Sequence, residues 1–255
     1  MLRNFKLKLF ILILGFIAYS CNENNSNKYT KQEYEKKTKV NRTIPKLDDT
    51  NIMKVLDWYG PENQETIVLI ETKYGNIKLK LYKETWKHRA SFILLTKKGY
   101  FNDSQFYRVV PNFIAQGGDS DEPDFRVKKR KVGKYHVPNE IDPRRFFHKR
   151  GALSAARAYK NNPTRQSTPF DFFIVQGREV TEGDLQASEQ ENGLEYTEEQ
   201  KNIYRTIGGD PHLDGQHTVF GEVIEGMDVV DKICAVPTEG EWPLDPIFIN
   251  AKVIE

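Results

Sequence analysis

Eight short stretches of alternating or apolar residues, each closed by turn residues, constrain this 255-residue chain more than any other feature. TIVLIETK (66–73) and IKLKLY (77–82) flank Tyr74-Gly75-Asn76, and the second run alternates Ile77, Leu79 and Leu81 with Lys78 and Lys80. A period of two marks a strand with one buried face, and the short connection makes a hairpin. FYRVV (106–110) and FIAQGG (113–118) are joined by Pro111-Asn112. GALSAARA (151–158), PFDFFIV (169–175), HTVFGEVIE (217–225) and IFINAKVIE (247–255) repeat the strand signal. Helical patterns cover 85–98, where Phe92 and Leu95 share a face and Gly99 closes, and 226–235, where Val229, Val230 and Ile233 share one. Many short strands spaced by turns, with two such helices, predict a mainly β fold: a closed antiparallel barrel with helices at its ends.

A third kind of segment lies between the strands. Residues 179–209 are acidic and helix-prone, Thr197 and Gln200 form a capping-box pair, Ile203 and Ile207 are one turn apart, and Gly208-Gly209 stops the run. This predicts a helical insertion. KKRKVGK (128–134) reads as a solvated basic loop.

The N-terminal quarter is organised differently. Arg3, Lys6 and Lys8 precede an apolar run from Leu9 to about Ala18, too short to span a bilayer comfortably, and Cys21 follows. A basic head, an apolar run and a cysteine resemble a bacterial lipoprotein signal peptide. That resemblance implies cleavage after residue 20, lipidation of Cys21 and an exported domain anchored to a membrane of the cell envelope. Ordinary secretion, an uncleaved anchor and a buried structural cysteine are the alternatives. Residues 21–65 are expected to be a polar tether. Within it Ile52, Met53, Val55, Leu56, Trp58 and Tyr59 suggest a short docking helix ended by Gly60-Pro61. The folded domain is expected over 66–255.

Composition removes several function classes. Net charge is +2, which argues against a dedicated nucleic-acid binder. Without the leader's three basic residues the formal charge is −1, so membrane contact is expected through the lipid alone. Two cysteines exclude a disulfide-stapled miniprotein and a four-cysteine zinc site. With Cys21 lipidated, Cys234 is the remaining thiol, expected to be buried and inert. Five histidines without metal-ligand spacing argue against a metal enzyme, and no cofactor is expected.

FYRVVPNFIAQGGD (106–119) resembles the cyclophilin-type peptidyl-prolyl cis-trans isomerases, as do GALSAARA, DFFIV (171–175), LDGQHTVFGEVIEGMDVVDKI (213–233) and LYKETWKHRASFILLTKKGYF (81–101). The resemblance runs over about 66–255 outside the insertion. It implies an eight-stranded antiparallel barrel capped by two helices. It also implies a site with Arg108 as the catalytic donor, Gln116 orienting it and contacting substrate, and Phe113, Ile114, Phe173 and Leu213 as the proline pocket. Ala156, Arg157 and Ala158 would line the peptide groove, and His217 would shape the pocket. Departures from the common family pattern are Ile114 for methionine, Asp171 for glutamine, Arg157 for asparagine and His212 for tryptophan.

These residue types suit the chemistry. Rotation about an X–Pro amide faces a barrier of about 18–20 kcal/mol set by resonance. A fixed donor aimed at the prolyl nitrogen prefers the twisted amide, in which the lone pair has returned. An arginine stays charged and presents its donors on a rigid plane. An apolar slot holds the ring while the preceding carbonyl swings. The expected partners are therefore proline-containing segments of exported proteins. A non-catalytic module that holds such segments is the alternative, and a further reading makes the insertion a docking surface. Taken singly, Arg108 could be a surface residue, Gln116 a turn residue, His217 a satisfied histidine and the pocket residues barrel core.

Overall fold

A computed structural model describes residues 43–255. The expected signal peptide, Cys21 and the expected tether up to residue 42 lie outside the described residues. In chain order the elements are β1 Leu47–Asp48, α1 Ile52–Glu62, β2 Ile67–Thr72, β3 Gly75–Leu81, α2 Trp86–Lys97, β4 Ser104–Val110, β5 Ile114–Asp119, α3 Pro123–Val132, β6 Gly133–Lys134 and β7 Ala152–Ala155. There follow β8 Phe172–Val175, α4 Glu182–Asn192, α5 Glu198–Ile207, a 3₁₀ turn at Pro211–Leu213, β9 Val219–Glu225, α6 Met227–Cys234, β10 Thr238–Glu239, β11 Trp242–Pro243 and β12 Phe248–Val253.

Eight strands close into an antiparallel barrel in the order β12-β2-β3-β9-β7-β8-β5-β4, with β12 pairing both β2 and β4. The expected fold class is therefore the observed one. Alternation explains the barrel core: Val68 and Ile70 on β2, and Ile77, Leu79 and Leu81 on β3, point inward and are buried. Each such side chain contributes about 1.5–3 kcal/mol on burial. α2 and α6, the two helices expected from the sequence, pack against barrel strands. α2 is buried along its length from His88 to Thr96 rather than on one stripe, because α1 covers it from outside.

Strand β8 separates two apolar cores. All four of its residues are buried. Phe172 and Ile174 belong to the barrel core, whereas Phe173 and Val175 join Ile114, Ala152, Leu213 and Val219 in a second cluster. Opposite faces of one strand thus serve two cores. The second core lies on the other side of the sheet and forms the floor of the site.

Two local expectations change. α1 runs on to Glu62 with Pro61 in its last turn, instead of ending at Gly60-Pro61. Its buried Ile52, Val55, Leu56 and Tyr59 follow helical spacing. The basic stretch 128–134 is not a loop: it is the second half of α3 and β6. Pro123 starts α3 and Phe125 anchors it beside Tyr100, with ring centres 5.1 Å apart. Lys129, Arg130 and Lys131 fall in the last turn, where the helix dipole favours cations. Gly133 ends the helix at φ +126°, and a Cβ there would lie 1.9 Å from the Leu47 carbonyl oxygen, so the β1–β6 contact requires glycine.

The helical insertion expected from the sequence is present. It consists of two helices, α4 and α5, each opened by a capping box: Thr181 with Asp184, and Thr197 with Gln200. Such caps contribute about 1 kcal/mol each. Along α5 the buried residues are Gln200 and Tyr204, while Ile207 is exposed. A polar pair faces inward because polar partners await it: Gln200 Nε2 donates to the Pro143 carbonyl at 2.8 Å, and Tyr204 donates to Asp214.

Candidate active site

Cross-strand register assembles the site. Arg108 on β4 is paired with Gln116 on β5, and Gln116 is paired with Phe173 on β8. Three adjacent strands thereby bring a cation, an amide and an aromatic ring into one row. Around it lies a cavity of about 100 Å³ lined by Arg108, Phe113, Ile114, Gln116, Ala156, Arg157, Tyr159, Phe173, Leu213 and His217. That is far below the size of a drug-sized ligand pocket and suits one small ring.

Arg108 lies beside the Phe113 ring, its guanidinium carbon 5.8 Å from the ring centre. Its Nη1 donates to Gln116 Oε1 at 3.3 Å. Gln116 Nε2 in turn donates to the Tyr107 hydroxyl at 2.6 Å, and that hydroxyl donates to Asp171 Oδ1 at 2.8 Å. Gln116 is therefore oriented: its oxygen must face the arginine because its nitrogen is held by the tyrosine. Asp171 also accepts from Thr168 Oγ1 at 2.9 Å. Burial raises the Asp171 pKa above the usual carboxylate range, against the lowering effect of Tyr107 and Lys129. Its carboxyl oxygens serve this network, so it is a brace for Tyr107 more than a free charge in the groove.

His217 sits in the wall. Its Nδ1 is 3.1 Å from the Ala155 carbonyl oxygen, and its Nε2 is 2.8 Å from the Tyr159 hydroxyl. The carbonyl can only accept, which places the ring proton on Nδ1 and leaves Nε2 to accept from Tyr159. Burial, then His148, pushes the His217 pKa down to about 3. The ring stands edge-on to Phe173 at 5.2 Å.

Of the sequence-derived residues, the fold brings together Arg108, Phe113, Ile114, Gln116, Ala156, Arg157, Phe173, Leu213 and His217. Ala158 is not among them. It is exposed, and its carbonyl accepts from Arg157 Nη1 and Asn162 Nδ2 at 3.2 and 3.0 Å. The next residue, Tyr159, takes the place at the cavity, with the Arg157 guanidinium carbon 4.4 Å from its ring centre. Arg157 itself is anchored by donating Nε to the Gln216 carbonyl at 2.6 Å. His212 turns toward the insertion, with Nδ1 3.0 Å from Glu191 Oε2 on α4.

Sequence reasoning also missed Glu241, which accepts from Arg108 Nε at 2.6 Å and from Nη2 at 3.1 Å. Tyr159 had a weak signal, an aromatic residue at the exit of a groove strand. Glu241 had none, since it lies 133 residues from its partner in an unpatterned turn segment.

The profile of the family described as "Cyclophilin type peptidyl-prolyl cis-trans isomerase/CLD" matches residues 67–253. A peptidyl-prolyl cis-trans isomerase of Helicobacter pylori is 31% identical over 193 residues, covering 71% of this chain and 91% of the relative. A peptidyl-prolyl cis-trans isomerase-like 2 of Rhizopus delemar is 31% identical over 183 residues, covering 71% of this chain. The chain spans about a quarter of the length of that relative and of a second fungal one. Among solved structures, a cyclophilin-type isomerase of Cryptosporidium parvum crystallised with the dipeptide Ala-Pro superposes with a TM-score of 0.52 at 24% identity. That match covers 74% of this chain and 99% of the other, and it speaks to the fold.

Proposed function

The chain belongs to the cyclophilin-type peptidyl-prolyl cis-trans isomerase family, and from this membership we propose that it accelerates rotation about X–Pro bonds with Arg108 as the donor to the prolyl nitrogen. One observation carries the reading: a guanidinium held at the edge of a small cavity whose other walls are Phe113, Ile114, Phe173 and Leu213. The proline ring seats in that cavity and the amide lies across Arg108. As the amide twists, the nitrogen regains its lone pair and becomes a better acceptor. The donor then binds the transition state more tightly than either planar isomer.

No proton need be transferred, which fits a His217 held neutral by burial. Its part is to wall the pocket and to carry Tyr159 at its rim. Ala156 and Arg157 flank the cavity on the side where an extended peptide would run. A rate gain of about 10⁵ requires these effects to lower the barrier by roughly 7 kcal/mol.

The test is turnover of a short proline peptide. The reading expects acceleration by the wild type and a loss of about 10²–10³-fold in Arg108→Ala, the usual cost of one transition-state donor, with an unchanged circular dichroism spectrum. Peptide binding without acceleration would replace this reading with a non-catalytic module.

We further propose that the protein works on exported chains, held at a membrane of the cell envelope through a lipid on Cys21. The basic head, apolar run and cysteine of the leader support this. Fatty-acid labelling that disappears in Cys21→Ser is the expected result, and labelling that persists would overturn it.

A further inference from the structure

The hairpin β10–β11 clasps strand β4 at three consecutive residues. Gly240 turns it at φ +64°, with Thr238 paired to Pro243 and Glu239 to Trp242. At position 107 the Trp242 ring packs on Tyr107, centres 5.7 Å apart. At 109 the Val109 amide donates to the Glu241 carbonyl oxygen at 2.7 Å. Between them, the Glu241 carboxylate receives Nε and Nη2 of Arg108 side-on, at 2.6 and 3.1 Å. The hairpin is thus fixed by ring and main chain on either side of the arginine it grips.

The donor count shows what the grip does. A guanidinium has five N–H bonds. Two go to Glu241 and one to Gln116. One N–H remains uncommitted on each terminal nitrogen, and Arg108 lines the cavity. With the Phe113 ring beside it, the guanidinium plane is fixed in rotation and tilt. A long, rotamer-rich side chain would otherwise have to be ordered during each turnover.

The pair does not explain itself as a stabilising ion pair. The Arg108 side chain is 33% exposed and that of Glu241 is 52% exposed. Pairs this open to water contribute little to stability. Orientation is different, because transition-state stabilisation depends on a donor already aimed when charge develops. Arg108 in return holds the Glu241 carboxyl below the usual carboxylate range, so the carboxylate form persists.

Resting on the isomerase reading, we propose that Glu241 is a positioning residue for the reaction, acting through Arg108 by fixing which of its N–H groups face the prolyl nitrogen. Glu241→Gln keeps the size and loses the charge and one acceptor. It is expected to lower kcat about tenfold, the scale of a small misalignment, while KM stays within about twofold because the apolar pocket is intact. The thermal midpoint is expected to be unchanged. The Arg108 Nε–H is expected to be protected from solvent exchange in the wild type and to lose that protection in Glu241→Gln. Glu241→Asp, which keeps the charge with a shorter reach, is expected to recover part of kcat. Glu239→Gln, the same change at an exposed position of this hairpin, is expected to match the wild type.

A Glu241→Gln kcat equal to or above the wild-type value, with the wild type active and Arg108→Ala strongly impaired, overturns this inference and leaves the isomerase reading standing. So does a fall in kcat accompanied by an equal loss at Glu239→Gln. A wild type that does not accelerate rotation overturns the isomerase reading, and this inference with it.

Discussion

Tyr204, on the second helix of the insertion, donates its hydroxyl to Asp214 Oδ2 at 2.5 Å. Tyr196 donates to the same oxygen at 2.8 Å. The other oxygen of Asp214 accepts from the His148 amide and lies 2.7 Å from His148 Nδ1. The His148 ring stacks on Phe173 with centres 6.0 Å apart and planes 14° from parallel. Four residues therefore connect the insertion to Phe173 in the wall of the cavity, through buried groups.

Tyr204→Phe removes one hydroxyl donor from a carboxyl group that cannot recruit bulk water. The expected cost is about 1–3 kcal/mol, the desolvation penalty of a buried group left short of a partner. At this size that lowers the thermal midpoint by roughly 2–4 °C per kcal/mol. A rise in KM for a proline peptide is also expected, since His148 backs Phe173. Coincident melting curves and KM values would show that the insertion does not support the pocket. Deleting residues 180–207 removes both tyrosines and is expected to weaken turnover, whereas an insertion serving as a docking surface would leave it intact.

His217 ties stability to pH. Its folded pKa is about 3, against 6.5 for an ordinary histidine. Between those values the unfolded chain binds a proton at this site and the folded one does not. Acid therefore favours unfolding: stability is full above about pH 6.5 and falls as pH drops toward 3, by up to about 1.4 kcal/mol per pH unit from this residue. Denaturant melts at pH 5 and pH 7 are expected to differ less in His217→Gln than in the wild type. An equal difference in the two proteins would mean that His217 is protonated in the fold. Turnover should show no inflection near pH 6.5 arising from this ring.

Cys234 is fully buried on α6, and burial, then Asp231, raises its thiol pKa to about 12. Thiolate is the reactive form, so alkylation of the native protein at pH 7 is expected to spare Cys234 and to reach it only on unfolding. Mass spectrometry of tryptic fragments reads this directly. Rapid modification of Cys234 in the native state would contradict its burial.

The barrel was legible because its strands announce themselves locally. Ile77, Leu79 and Leu81 alternate with lysines, and the β2–β3 turn is marked by Gly75. The capping box at Thr197 was legible for the same reason: its partners lie within one turn. The helix over 123–132 was missed because its buried anchor is a single residue, Phe125, followed by a nearly unbroken run of polar side chains. Ala158 was carried into the groove by the strand motif, yet β7 ends at Ala155, and the chain turns so that Tyr159 reaches the cavity instead.

Within the sequence itself lay the barrel class, the insertion and most of the lining of the pocket, since periodicity and short motifs are properties of neighbouring residues. Tertiary structure alone decided what holds those residues in place. Glu241 meets Arg108 across 133 positions, and Tyr204 meets Asp214 through a buried contact that hydropathy patterns do not encode. Closing a barrel brings distant edges together. A charge that looks solvated in one segment then finds its partner in another, and only the closed fold specifies which.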